Sequence, residues 1–68
     1  MNYLEWSLEY KAAAERLAET IEKLKLRRAP APLSEKKEID RRIAQYRVCR
    51  GECLDIADHL MRRHRGVA

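Results

Sequence analysis

Ala29 to Pro32 read Ala-Pro-Ala-Pro, and no other stretch limits the fold of this chain so tightly. Each proline lacks an amide proton and pushes the residue before it toward extended backbone. A continuous helix therefore cannot run through the segment. On both sides of it the apolar residues return at helical spacing. Before it stand Tyr3, Trp6, Tyr10, Ala13, Leu17, Ile21 and Leu24, in steps of three and four that approach a coiled-coil seam. After it come Ile39, Ile43, Tyr46, Cys49, Cys53, Ile56, Ala57 and Leu60, with Met61 alongside.

The ends of these stretches carry helix signals of their own. Asn2 suits an N-cap and Glu5 follows as in a capping box, with Met1 and Trp6 at the staple positions. Ser34 is expected to cap the second helix, with Glu35 and Glu38 in its first turns, and Gly66 to stop it. The expected domain is a single one: helix 1 over about residues 2–28, a turn over 29–33 and helix 2 over about 34–64. At ~1.5 Å per residue the helices would be roughly 40 and 45 Å long. The fold class is all-α, an antiparallel two-helix hairpin.

Composition agrees. The chain has 68 residues, 38% charged and 46% apolar, with two glycines, two prolines and no phenylalanine. That mix suits long amphipathic helices and leaves little turn chemistry for strands. A core of this size usually needs help from a disulfide, a metal or a second subunit. One hairpin would also leave Leu4, Leu8, Leu54 and Met61 wet. The expected remedy is pairing of two hairpins into a four-helix bundle, with a homodimer ahead of a higher oligomer. Its core and interface would comprise Tyr3, Trp6, Tyr10, Leu17, Ile21 and Leu24 against Ile39, Ile43, Tyr46, Cys49, Cys53, Ile56 and Leu60. Tyr3, Trp6 and Tyr10 are expected to pack on Ile56, Leu60 and His64 at the open end.

Residues 45–65, "QYRVCRGECLDIADHLMRRHR", hold both cysteines and both histidines. A metal site reads poorly there. His64 shares the side of the thiols but lies ~16 Å beyond Cys53 along the axis, and His59 points elsewhere. Zinc ligands must converge within ~2.0–2.3 Å of one ion, so only a four-thiolate site shared across a dimer would serve. A relaxed disulfide between neighbours four apart on one helix is disfavoured by its geometry, which leaves an intersubunit one under oxidation. The expected role of Cys49 and Cys53 is packing, as small apolar side chains opposite Tyr10 to Glu15. Gly51 falls away from the seam and is given no role. No cofactor or metal is expected.

Catalysis finds no support either. Ser7 and Ser34 have no neighbouring histidine, and Asp58 and His59 diverge by about 100° on a helix. No phosphate loop or His-Glu-x-x-His is present. The net charge of +4 permits an anionic partner. The basic runs Lys23–Arg28 and Met61–Arg65 close their helices, where cations offset the dipole, and they fall at opposite ends of a hairpin. Arg41, Arg42, Arg47 and Arg50 are interleaved with acids, and Glu38–Arg42 and Asp58–Arg62 have the favourable i,i+4 order. Nucleic acid is thus the less favoured partner, with those four arginines as its contacts, and a protein partner other than a second copy stays open. Glu5 and Glu9 interrupt any signal-peptide region and no run suits a membrane span, so the expected compartment is a reducing cytoplasm.

Two resemblances add to this reading. In length and architecture the chain resembles the repressor-of-primer family, whose αα-hairpins dimerise into a four-helix bundle. No motif is shared, so no binding residue carries over. The segments "MNYLEWSLEYKAAAERLAETIEKLK" and "EIDRRIAQYRVCRGECLDIADHLMRR" look like short reading frames of prophages and integrative elements in Gram-positive gut bacteria. That resemblance implies a small cytosolic accessory protein of a mobile element.

Overall fold

In a computed structural model, which describes residues 2–67, the chain forms two α-helices, α1 (Tyr3–Arg28) and α2 (Leu33–Val67). They fold back on each other as a hairpin, and its Cα envelope measures 53 × 14 × 14 Å. Asn2 caps α1 from extended backbone, its Oδ1 accepting the Glu5 N–H at 2.8 Å. Met1, the other half of the expected staple, lies outside the described residues. At the far end of α1, Ala29 keeps helical dihedrals and the Ala31 N–H bonds the Arg28 carbonyl at 3.1 Å. Pro30, with no N–H to continue the ladder, then turns the chain.

Both ends of α2 differ from expectation. The Lys36 N–H reaches the Pro32 carbonyl at 2.9 Å, so the helix opens one residue early and Ser34 lies inside its first turn rather than capping it. Proline's fixed φ is already helical, and a helix can grow straight out of it. At the other end α2 runs on to Val67. A glycine ends a helix by taking a positive φ, and Gly66 does not.

The hairpin closes in two different ways along its length. Near the turn, Ile21, Leu24, Ile39 and Ile43 form a buried cluster with Ala31 and Tyr46 packed against it. Toward the open end the buried residues are Ser7, Ala14, Ala57 and Leu60. Ser7, Ala14 and Ile21 are spaced by seven, which continues a single seam from the isoleucine cluster to the start of the helix. Small side chains let the helix axes approach closely. The Ser7 Oγ, 0% exposed, donates a 2.9 Å hydrogen bond to the Ala57 carbonyl.

Candidate interaction surface

The seam expected at the open end is thus displaced by one residue. Ser7 and Ala14 are buried where Trp6 and Ala13 were expected, and of the neighbours Ile56 and Ala57, both placed on the apolar stripe, only Ala57 is buried. Successive helical residues diverge by about 100°. Moving the contact line from Trp6 to Ser7 therefore swings the indole to the flank. Trp6 is 40% exposed, Tyr10 38% and Ile56 41%. These three do not form the intrachain core, because the close approach sealed by the Ser7–Ala57 bond leaves no room between the axes for an aromatic ring.

Together the displaced residues build a surface. Trp6, Glu9, Tyr10 and Ala13 from α1 and Ile56 and Leu60 from α2 line an open groove of about 460 Å3. Tyr3 supports its far end, its ring edge-on to Trp6 with centroids 6.2 Å apart. Tyr3 and Leu17 are half-buried. Of the expected aromatic packing the structure brings Trp6 and Tyr10 together with Ile56 and Leu60. His64 is half-buried and does not line the groove. Among the expected wet residues, Leu8 and Leu54 are exposed, whereas Leu4 and Met61 are half-buried.

The thiols part company. Cys49 is exposed and Cys53 half-buried, so Cys49 does not pack in the core of the single hairpin. It stands seven residues before Ile56 and shares that residue's turn away from the seam. Among the described residues no three of His, Cys, Asp and Glu converge in a way that could hold a metal ion. Gly51 is half-buried, and a Cβ placed on it would meet nothing within 4 Å.

The four arginines fall into two groups. Arg41 and Arg42 share one carboxylate, Glu38, at 3.6 and 3.7 Å. Arg47 and Arg50 line a second depression with Ala18, Ile21, Glu22 and Lys25. The i,i+4 pair Asp58–Arg62 forms at 2.9 Å. The ion pair between the helices was not expected from the sequence: Arg28 grips Asp40 through Nε (2.6 Å) and Nη2 (3.1 Å) and ties the two helices together beside the turn. The hydrogen bond from Arg28 lowers the Asp40 pKa, and the same bond raises that of Arg28. Both side chains are about half-exposed.

No helix among the described residues is long and apolar enough to cross a membrane. Comparisons with protein families, curated proteins and solved structures return no match. The Trp6–Ile56 surface offers apolar and aromatic area flanked by isolated charges, with neither a nucleophile–base pair nor a gathered set of metal ligands.

Proposed function

We propose that this chain is a non-enzymatic structural or protein-interaction module whose working form is a self-associated hairpin, a homodimer in the first instance. The carrying observation is the division of labour among its apolar residues. The open half seals itself with Ser7, Ala14 and Ala57 and displays Trp6, Tyr10 and Ile56. Large aromatic and aliphatic groups on one side of a rigid helix pair are what buried interfaces use as anchors. The small intrachain core near the turn gives such an interface a second purpose, since isolated domains below ~70–80 residues rarely hold more than 3–5 kcal/mol. Two copies meeting on this side would form a four-helix bundle. Thiols kept reduced in a cytoplasm, and the likeness to mobile-element reading frames, fit a small accessory protein of such an element.

The test is native mass spectrometry of protein purified with reductant and without chelator. A metal-free dimer or tetramer that dissociates on introducing Ile56→Glu, but survives Leu8→Glu on another face, is expected. A monomer at every concentration would overturn self-association. One zinc per two chains would overturn the non-metal reading of the thiols.

A nucleic-acid-binding regulator is the second reading, and Arg47 and Arg50 favour it: neither makes an ion pair among the described residues, and they lie beside Lys25. Arg41 and Arg42 weigh against it through their shared Glu38. Random-sequence DNA or RNA bound at low salt and released steeply as salt rises would support this reading.

A further inference from the structure

We infer that the occupant of the Trp6–Ile56 surface is a second copy of this chain laid antiparallel, α1 against its own counterpart, with the twofold axis beside Ala13. The inference rests on the self-association proposed above and adds which helices meet and in which direction.

Two charges fix the direction. Glu9 and Arg16 are both exposed and stand seven residues apart, so at 100° per residue they share one rim of the stripe formed by Trp6, Ala13 and Thr20. Neither makes an ion pair among the described residues. The ion pairs that do form within the chain, Glu22–Lys25, Arg28–Asp40, Glu38 with Arg41 and Arg42, and Asp58–Arg62, lie off this rim. Other charges also stay unpaired among the described residues; Glu9 and Arg16 are set apart by their place beside the stripe. Midway between Glu9 and Arg16 lie Ala12 and Ala13. Two identical helices crossing antiparallel at that level set each Glu9 opposite the Arg16 of the other copy, twice over. A parallel pairing would set Glu9 against Glu9 and Arg16 against Arg16. An isologous contact of this kind is self-complementary, with one chain supplying both halves of every pair.

The rest of the surface fits the same axis. Ala13 is small, so the two α1 helices can approach closely there, and each Trp6 comes near the Leu17–Thr20 stretch of the other copy. The Ser7–Ala57 hydrogen bond sets the register within a hairpin. Six residues on in α1 and six back in α2, Ala13 therefore stands level with Gly51. Cys49 and Cys53 flank that level by two residues each, and these small side chains suit the close approach of the two α2 helices. One long face, 53 by 14 Å across the Cα atoms, is also close to the ~800 Å2 that each partner covers in a standard interface.

Charge reversal tests the arrangement, read by sedimentation and native mass spectrometry. Glu9→Arg and Arg16→Glu are each expected to weaken the homodimer by roughly 10-fold, since each exchanges two attractive contacts for two repulsive ones. Combining them in one chain is expected to restore wild-type affinity. An equimolar mixture of the single variants is expected to form the heterodimer in preference to either homodimer. That mixing arm succeeds even where a single variant folds poorly alone. A wild-type dimer indifferent to these reversals, or a mixture without preference, overturns the antiparallel α1 arrangement and leaves self-association standing. A wild-type monomer overturns both, and co-sedimentation of that monomer with phosphatidylglycerol vesicles would identify a lipid surface as the occupant instead.

Discussion

The hydroxyl of Ser7 and the carbonyl of Ala57 meet across the hairpin at 2.9 Å, in a spot closed to solvent. This is a neutral bond to an acceptor already inside a helix, so its net contribution is about 0.5–1.5 kcal/mol. Its larger role is to hold the axes close. Ser7→Ala is expected to cost up to about 1.5 kcal/mol in urea unfolding. Ser7→Leu forces the helices apart and is expected to cost about 1–3 kcal/mol, despite being the more hydrophobic change. A leucine variant more stable than the wild type would show that the open end tolerates a wider seam.

Arg28 and Asp40 give the hairpin an acid-sensitive tie. The Asp40 pKa is lowered in the folded chain by the hydrogen bond from Arg28. A carboxyl with a lowered folded pKa lends stability that is fully present above its unfolded value, about 3.9. That stability is lost as pH falls through the folded value. Asp40→Asn is therefore expected to flatten the part of the stability profile below about pH 4 while changing little at neutral pH, where exposed pairs are worth little. Melting temperatures of both proteins from pH 2 to 7 would show it. Equal acid slopes would assign the loss to other carboxylates.

Cys49 and Cys53 differ in access, which a thiol reagent can read. At dilutions that favour the single hairpin, the exposed Cys49 is expected to react with a maleimide several-fold faster than the half-buried Cys53. Cys49→Ser should leave thermal stability within about 0.5 kcal/mol of wild type, as for other surface substitutions. Mass spectrometry of partially labelled protein, digested to separate the two sites, checks the order. Faster labelling at Cys53 would mean that Cys49 is covered in the assembled protein.

Much of this fold was legible from two local facts. Pro30 and Pro32 forbid a continuous helix, and the three-and-four spacing of Ile21, Leu24, Ile39 and Ile43 marks the buried side near the turn. The open end was harder. There the most hydrophobic residues, Trp6 and Ile56, are not the ones that face the partner helix, because apolar spacing weighs residues by water aversion and not by size. The signal that finds the true seam is the sevenfold run Ser7–Ala14–Ile21, which matters only once closest approach is the criterion. Side-chain pairs one turn apart in a helix, such as Asp58–Arg62, follow from spacing alone. Arg28–Asp40 depends on the detailed geometry of the turn, and that is set by tertiary structure. The surface around Trp6 became visible only when the seam had moved.

Gly51 supplies the last prediction, since it occupies a helix interior with no conformational reason to be glycine. Its φ is not positive, and an added Cβ would find nothing within 4 Å. Alanine gains about 0.8–1.0 kcal/mol over glycine at such a site, chiefly by restricting the unfolded chain. Gly51→Ala is expected to raise stability by up to about 1 kcal/mol in denaturant unfolding of the isolated chain. In the assembled protein the level of Gly51 coincides with the proposed twofold axis, although its own Cα turns away from the Cys49–Ile56 side. The gain should therefore persist when unfolding is measured at concentrations that favour the dimer. A loss of stability confined to those concentrations would mean that a second copy approaches the backbone at residue 51, and that glycine is kept there for the contact.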